Sequence, residues 1–269
     1  MLIVGELINS SRKAIKAAID AYDAETIKNV AKAQAEAGAD YIDINCGTFV
    51  QDEEKRSRWL IETVQEVVEL PLCLDSPDPK VLEAGLLAAG DKHQPMINSI
   101  TWEKERFQAV LPLVLQYKAK IIALCMGDGG IPQTASERVE IATQLVEALT
   151  AAGVPEDDIY LDPLVQPISS ADEAGLQTLD TIRGIKGLFP KVHCICGLSN
   201  ISFGLPNRKL LNRIFLVQAM SRGMDAYILD PTDIDLMGTL YASNALLGRD
   251  KFCTKYLKAH RKGLYEKSI

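Results

Sequence analysis

Short apolar runs alternate along the chain with longer stretches that carry apolar residues at helical spacing. The eight runs cover residues 1–6, 41–47, 70–76, 95–100, 120–126, 158–164, 191–199 and 224–230. Strands that alternate with helices favour parallel pairing through helical crossovers. Eight such units in 269 residues predict an α/β fold, a (β/α)8 TIM barrel that forms one domain over residues 1–269.

The stretches with helical spacing fill the intervals between these runs. They cover residues 23–37, 51–69, 79–89, 102–117, 135–152, 171–188, 207–222 and 235–247. Glycines mark several of their ends, as Gly38 and Gly153 do, because glycine adopts the left-handed conformation that closes a helix. A further basic helix over residues 250–263 follows the eighth unit, and we expect it to pack on the barrel wall.

Composition and charge narrow the class of protein. Apolar residues make up 47% of the chain, enough for a large core, and no apolar run approaches the roughly 18–20 residues that span a bilayer. The formal net charge is −7, with acids and bases mixed, which is unlike the basic stripe of a nucleic-acid binder. The six cysteines and three histidines lack metal-ligand spacing, and we interpret the cysteines as buried thiols. These features predict a cytoplasmic enzyme without a membrane segment or a metal site of its own.

Nearly every apolar run ends in a side chain that can hydrogen-bond a ligand. In a TIM barrel these ends form the face that carries the active site. The polar residues there are Glu6, Asn9, Asp43, Asn45, Asp75, Asn98, Asp128, Asp162 and Asn200. The set is rich in amides and poor in acid–base catalysts, which suits a site that holds a heterocycle while an external nucleophile attacks.

Asp75, Asn98 and Asp162 are candidates for binding that heterocycle. Asp162 ends an apolar strand before Pro163, where an unpartnered acid would be costly. The Asn98 amide offers a donor and an acceptor together. Asp75 could equally be a turn or capping acid before the next helix, and Asn98 could be a turn amide.

The remaining candidates have open alternatives of their own. Asp43 and Asn45 alternate with isoleucines, so both could face inward at the site or form a polar layer that supports it. Gly197 would allow close approach of the backbone, with Ser199 and Asn200 as polar tips, and Arg208 could point back to the site or lie on the surface. The glycine-rich loop over residues 126–130 could be a mobile cover or a plain turn.

Taken together, these residues resemble the pterin-binding methyltransferases, and among them the methyltetrahydrofolate:corrinoid/iron–sulfur protein methyltransferases. The motifs that carry the resemblance follow the family's order along almost the whole chain. They are residues 5–9 (GELIN), 43–45 (DIN), 74–76 (LDS), 96–99 (MINS), 162–164 (DPL), 197–200 (GLSN) and 207–208 (NR). A single motif of this kind would be weak, whereas the ordered set is fairly specific.

The resemblance implies an enzyme that moves a methyl group between N5 of methyltetrahydrofolate and the cobalt of a corrinoid protein, in either direction, with cob(I)alamin as the nucleophile. It implies that Asn200 stabilises charge at N5 and that the pterin is bound by Asp75, Asn98, Asp162, Asn200, Ser199, Gly197 and Arg208. A supporting rim would comprise Glu6, Asn9, Asp43, Asn45, Ser99 and Met126. Family members usually form homodimers. One departure is Phe203, where some members carry a polar amide, so the folate contacts on that side are in doubt.

Two alternatives remain at this point. Dihydropteroate synthase shares the barrel and the pterin pocket, but the acidic end of the eighth run, with Asp230 and Asp233, would repel a pyrophosphate-bearing substrate. A folate-binding protein without turnover would keep Asp75, Asn98 and Asp162 and need no surface for a corrinoid partner.

Overall fold

The computed structural model describes residues 1–264, and these fold as a barrel of eight parallel strands. The strands are β1 (Leu2–Gly5), β2 (Tyr41–Asn45), β3 (Leu72–Asp75), β4 (Met96–Thr101), β5 (Lys120–Leu124), β6 (Ile159–Asp162), β7 (His193–Cys194) and β8 (Ala226–Leu229). Each strand pairs in parallel with the next, and β1 also pairs with β8. A parallel bridge between Gly197 and Ile228 joins the last gap, between β7 and β8. The predicted (β/α)8 barrel is therefore confirmed.

The helices lie between the strands, as the periodicity predicts. They are α1 (Lys13–Asp20), α2 (Ala24–Glu36), α3 (Glu53–Gln65), α4 (Pro79–Ala89), α5 (Lys104–Tyr117), α6 (Ala135–Ala151), α7 (Ala174–Leu188), α8 (Arg208–Arg222), α9 (Ile234–Leu246) and α10 (Thr254–Arg261). Helix α1 was not predicted from the sequence. This helix has only eight residues and buries only Ile15, Ala18 and Ile19, too short a pattern to stand out.

The seventh strand is shorter than predicted. Of the run over residues 191–199, only His193–Cys194 has strand structure, and a 3-10 turn over Leu198–Ser202 follows. Ile195 and Cys196 are fully buried, and each still makes one backbone hydrogen bond to a neighbouring strand. Their burial explains why the apolar run continues beyond the strand itself. As a consequence, Ser199 and Asn200 lie on a turn rather than at a strand end.

The extra C-terminal helix is present. A 3-10 turn over Lys251–Cys253 precedes α10, which packs against α9 and buries Ala259. Lys255 and Lys258 of α10 border a hollow that also includes Met1, so the helix lies beside the N-terminal end of β1. Within residues 1–264, no helix is long and apolar enough to cross a membrane, and no group of histidine, cysteine or acidic side chains could hold a metal ion.

An apolar layer closes the barrel interior below its C-terminal end. It contains one buried side chain from each strand or from its direct extension, namely Val4, Tyr41, Cys73, Met96, Ile122, Tyr160, Ile195 and Ala226. Because side chains alternate along a strand, the residues two positions further on also face the interior. Those residues are Glu6, Asp43, Asp75, Asn98, Leu124, Asp162, Gly197 and Ile228. Two residues further toward the C-terminal end of each strand, the barrel interior thus changes from apolar to mostly polar.

The cysteines are free thiols, as predicted. Cys46, Cys73, Cys125, Cys194 and Cys196 are buried, and Cys253, on the 3-10 turn before α10, is exposed. Cys194 and Cys196 belong to the large core between the strands and the helices, since both point away from the barrel axis.

Candidate active site

A polar cavity of about 310 Å³ opens at the C-terminal ends of the strands. It is lined by Glu6, Asn9, Ser11, Arg12, Asp43, Asp75, Asn98, Asp162, Gly197, Ser199, Asn200 and Ile228. Nine of the predicted site residues line it, and they come from six different strands and the turns that follow them. The cavity is polar because its floor is the layer of mostly polar side chains that lies next to the apolar layer, toward the C-terminal ends of the strands.

Asp75 is oriented by Asn45, its neighbour across the sheet. The two residues are in register on β2 and β3, and Asn45 Nδ2 donates to Asp75 Oδ2 at 2.8 Å. Asn45 Oδ1 in turn accepts a hydrogen bond from Gly47 N at 3.1 Å. The amide is therefore fixed from both sides and does not line the cavity itself. The structure therefore favours the interpretation of Asn45 as a residue that supports the site over its interpretation as a residue that faces a ligand.

Asn98 lies opposite Asp75 on β4, and an arginine holds the ends of both strands. Arg106 of α5 donates to the Ser99 carbonyl through Nε at 2.9 Å and to the Ser76 carbonyl through Nη2 at 3.0 Å. The backbone after Asp75 and after Asn98 is thus held by one rigid guanidinium. Ser99 contributes this carbonyl to the support and does not line the cavity.

Asp43 lines the cavity floor and is almost completely buried. Among residues 1–264, no hydrogen-bond partner is present for its Oδ1 atom. Burial, followed by the charge of Asp75, raises the pKa of Asp43. Burial also raises the pKa of Asp75 to about 6, although the hydrogen bond from Asn45 opposes the rise. An unpartnered buried carboxyl is costly, so the Asp43 atom is a position for a ligand atom or a proton.

Asp162 faces the cavity from the end of β6. Its Oδ1 accepts a hydrogen bond from Leu164 N at 2.8 Å, a turn in which Leu164 takes the left-handed conformation with φ of 62°. Burial raises the pKa of Asp162 to about 7, and the hydrogen bond and the nearby Arg138 only partly oppose this. Asp162 can therefore exist as an acid or as a carboxylate near neutral pH.

The loop after β1 forms a charged side of the cavity. Glu6 Oε1 pairs with Arg12 Nη2 at 2.6 Å, and Asn9 Oδ1 accepts from Ser11 N at 2.9 Å. Burial raises the pKa of Glu6, and the charge of Arg12 opposes the rise. This loop is anchored by Gln34, whose Oε1 accepts from Leu7 N at 2.9 Å.

Two glycines of the site lie where side chains approach the backbone closely. A Cβ atom at Gly5 would lie 2.5 Å from Gln34 Oε1, so only glycine leaves room for the Gln34 anchor. A Cβ atom at Gly197 would lie 3.2 Å from Asn200 Nδ2. Gly197 therefore allows the Asn200 amide to fold back over the backbone at the cavity edge.

Arg208 lies beside the cavity rather than in it. Its Nη2 donates to the Ser199 carbonyl at 2.6 Å and its Nε to Ser202 Oγ at 3.1 Å, so Arg208 holds the 3-10 turn that carries Ser199 and Asn200. The guanidinium also lies 5.8 Å from the centre of the exposed Phe203 ring. Asn207 before it takes a left-handed conformation and makes no side-chain cap to α8.

The loop after β5 is a plain turn. Gly127 and Gly130 form a bridge, and Asp128 Oδ1 accepts from Lys104 N at the start of α5. Asp128 is thus a capping residue, and neither Asp128 nor Met126 lines the cavity. The Met126 backbone donates to the Leu124 carbonyl and accepts from Trp102 N, and its place in a supporting rim stays a prediction.

Several residues of the site and its support were not predicted from the sequence. Ser11 and Arg12 line the cavity next to Asn9 and follow the first strand run closely, which could have indicated them. Arg106 and Arg138 lie inside helices, where an arginine usually faces solvent, and nothing in the sequence marks them as buried supports.

Comparison with known proteins identifies the family. The chain matches the family model described as "Pterin binding enzyme" over residues 5–230. It is 40% identical to the methylcorrinoid:tetrahydrofolate methyltransferase of Eubacterium limosum, over 98% of this chain and 97% of that one. It is also 32% identical to the methionine synthase of Mycobacterium tuberculosis, over 87% of this chain but only 21% of that protein.

The similarity of this chain to solved structures concerns the fold alone. Dihydropteroate synthase from Xanthomonas albilineans, in complex with 7,8-dihydropteroate, superposes with a TM-score of 0.68 at 19% identity. That match covers 91% of this chain and 94% of that one. Dihydropteroate synthase from Yersinia pestis gives a TM-score of 0.68 at 16% identity, over 92% and 93% of the two chains.

Proposed function

This chain belongs to the pterin-binding enzyme family, and we propose that it transfers a methyl group from a methylcorrinoid protein to N5 of tetrahydrofolate. The observation that carries the proposal is the 40% identity, over almost the whole chain, to a methyltransferase named for that reaction. The cavity described above supplies a matching site on this chain. We propose that the domain extends over residues 1–269, as the sequence predicts.

The donors and acceptors of the cavity suit a pterin. A pterin presents an amino group and ring N–H groups as donors beside ring nitrogen and carbonyl acceptors. Asp75, Asp162 and the unpartnered Asp43 Oδ1 are acceptors when ionised, and Asn98 offers both kinds of group. We propose that these side chains bind the pterin edge, with Gly197 and Ser199 against its ring.

The size of the cavity agrees with this assignment. A volume of about 310 Å³ is at the lower end of ligand pockets, which run from roughly 300 to 1,000 Å³. The space suits a bicyclic ring, and the rest of the folate would extend past the cavity edge. We propose that Asn200, Arg208 and Phe203 lie on the side where it leaves.

In the proposed step, the lone pair of N5 attacks the methyl carbon of the methylcorrinoid. The N–C bond forms, the Co–C bond breaks with its electron pair left on cobalt, and the N5 proton is released. The chain itself orients the pterin, because the two substrates must approach in line. We propose that the Asn200 amide contacts N5 and stabilises the charge that changes there in the transition state. The same contacts serve the reverse reaction.

We propose a corrinoid protein as the partner and a homodimer as the assembly, in the cytoplasm. Leu210, Ile214 and Val217 support the dimer, because they recur at helical spacing on α8 and are 46%, 49% and 41% exposed. Sedimentation velocity should show a dimer that Ile214→Glu weakens, and a monomeric wild-type protein would contradict this part of the proposal.

The alternative activity of dihydropteroate synthase has less support. The similarity to solved synthases concerns the fold, and Asp230 and Asp233 lie at the end of β8, where a pyrophosphate group would meet two acids. Asp230 accepts from Thr232, and Asp233 caps α9, so both are held in place there.

The test is methyl transfer between free methylcobalamin and tetrahydrofolate, followed by visible absorbance without oxygen, with tetrahydrofolate binding measured by calorimetry on the same protein. We expect loss of methylcobalamin that depends on the protein and on folate. Binding without transfer, from free methylcobalamin or from a methylated corrinoid protein, would favour a folate-binding protein without turnover. Absence of binding would contradict the proposed function.

A further inference from the structure

Arg138 is a buried cation next to the cavity that the proposed chemistry does not use. It lies on α6, in the first two turns of the helix, and only 1% of its surface is exposed. A fully buried arginine is rare unless its donors are satisfied, because removal of the charge from water is costly. The partners of Arg138 therefore indicate why the residue is there.

Most of these partners belong to the segment that follows Asp162. Arg138 Nη1 donates to the Pro163 carbonyl and to the Leu164 carbonyl, each at 3.0 Å. Nη2 donates to Gln166 Oε1 at 3.2 Å, and Nε donates to the Pro132 carbonyl at 3.2 Å. One planar guanidinium thus joins the loop after β5 to the loop after β6.

The segment that it holds has an unfavourable backbone. Leu164 has a φ of 62°, a left-handed conformation that a branched apolar residue rarely adopts. This conformation brings Leu164 N to Asp162 Oδ1 at 2.8 Å. Because that bond uses Oδ1, it fixes which carboxyl oxygen is left to face the cavity.

We propose that Arg138 is a positioning residue for the pterin: it holds residues 162–166 so that the free oxygen of Asp162 points into the cavity. The inference deepens the proposed function and rests on it. Arg138 does not line the cavity, so it acts through Asp162 and not by contact with substrate.

The charge of Arg138 has a second effect on Asp162. Burial raises the pKa of Asp162, and the guanidinium opposes that rise. The other titratable groups around Asp162 are Cys125 directly after β5, Cys194 on β7, Cys196 beyond β7, and Asp43 and Asp75 across the cavity floor. Burial raises the pKa of all three thiols, so they stay neutral near pH 7. Loss of Arg138 should therefore raise the pH at which Asp162 ionises.

Two substitutions separate the geometric effect from the charge effect. Arg138→Lys keeps the charge but removes the planar guanidinium that donates to two carbonyls. Tetrahydrofolate affinity should therefore fall about tenfold, and the pH midpoint of binding should not change. Arg138→Gln also removes the charge, so affinity should fall further and the pH midpoint should move upward.

A matched control comes from Arg56, a second buried arginine away from the cavity. Arg56 on α3 donates to the Ile19 carbonyl at 2.9 Å and to Asp20 at 3.0 Å. Arg56→Lys should lower the free energy of unfolding but leave tetrahydrofolate affinity within twofold. A purely structural role for Arg138 would make the two lysine variants behave alike.

The experiment is calorimetric titration of each folded variant with tetrahydrofolate from pH 5.5 to 8.5, with a double-mutant cycle against Asp162→Asn. We expect Arg138→Gln to weaken binding in the wild-type background and to have little effect once Asp162 is replaced. Equal losses in both backgrounds, or wild-type affinity in Arg138→Lys, would overturn the inference. If Arg138→Gln does not fold, Arg138→Lys against Arg56→Lys decides. Failure of the wild-type protein to bind would instead contradict the proposed function.

Discussion

The two ends of the barrel each contain a partly buried acid, Asp225 just before β8 and Asp162 at the end of β6, and the two acids differ in their hydrogen-bond partners and in the direction of their pKa shifts. Asp225, at the N-terminal end, accepts from His193 Nδ1 at 3.0 Å, from Cys194 N at 2.8 Å and from Lys186 at 3.1 Å. Burial would raise the pKa of Asp225, but these partners outweigh it and lower the pKa. Asp162, at the C-terminal end, has one direct hydrogen bond, and its pKa rises to about 7.

The difference separates an acid that stabilises the fold from an acid that is available to a ligand. Both carboxyl oxygens of Asp225 accept hydrogen bonds, Oδ1 from Cys194 N and Oδ2 from His193 and Lys186. The His193 ring also stacks on Tyr160, with 4.6 Å between the ring centroids. At the cavity, Asp43 Oδ1 is buried and has no hydrogen-bond partner among residues 1–264, and Asp162 uses Oδ1 for its bond to Leu164 N, which leaves Oδ2 toward the cavity. Unsatisfied groups of this kind lower the stability of the free protein, and a bound pterin would satisfy them.

The largest expected effect is a loss of stability when Asp225, at the N-terminal end of the barrel, is replaced. Asp225→Asn leaves Lys186 and His193 without their charged partner and should lower the free energy of unfolding by about 3 kcal/mol. Urea denaturation measures the loss. Calorimetry on the folded variant should give an unchanged tetrahydrofolate affinity, and weaker binding would contradict the division between the two ends.

The next effect concerns the transfer step at the cavity edge. Asn200→Ala removes the amide that folds over Gly197 and should slow methyl transfer about 100-fold, with a much smaller change in tetrahydrofolate affinity. Single-turnover absorbance and calorimetry on the same sample separate the two quantities. Equal losses of rate and affinity would remove the proposed role at N5.

A smaller effect is expected for the acid at the cavity. Asp162→Asn should weaken tetrahydrofolate binding about tenfold or more, since a charged acceptor becomes a neutral amide. The free energy of unfolding should stay the same or rise, in contrast to Asp225→Asn. An unchanged affinity would exclude Asp162 from the pterin contacts.

The last effect is the pH dependence of the free energy of unfolding. A raised pKa means that the folded state holds the proton more tightly, so Asp162 makes the free protein less stable as pH rises from about 4 to about 7. Asp162→Asn should flatten this decline, because the amide does not titrate. The lowered pKa of Asp225 acts the other way, because its stabilisation is present above about pH 4 and is lost as pH falls further. Urea titrations from pH 3 to pH 8 should show both, and identical profiles for wild type and Asp162→Asn would contradict the account.

The barrel and most of the cavity could be predicted from the sequence because both follow from alternation. The apolar runs mark the strands, and the polar residue at each C-terminal end marks the cavity floor, as Asp75 and Asp162 show. Prediction from the sequence fails where contacts between distant residues determine the secondary structure. Burial of Ile195 beyond the strand made β7 look longer than it is, and α1 has too few buried positions to be recognised.

The supporting residues are the part that local pattern does not reveal. Asn45 looks like a ligand-binding residue but bonds to Asp75, and Arg138 looks like a surface residue but is buried. In both cases the role depends on carbonyl and carboxyl groups that are distant in sequence, up to 30 residues away. Helical spacing and strand alternation contain no information on such partners.

We propose that the C-terminal cavity binds a pterin for methyl transfer at N5. The most direct measurement uses a corrinoid protein loaded with a ¹³C-labelled methyl group, mixed with tetrahydrofolate and this protein, and followed by ¹³C NMR. The account predicts that the label leaves cobalt and appears on N5, with the wild-type protein and far more slowly with Asn200→Ala. A label that stays on cobalt while tetrahydrofolate is bound, or that moves to another atom, would contradict it.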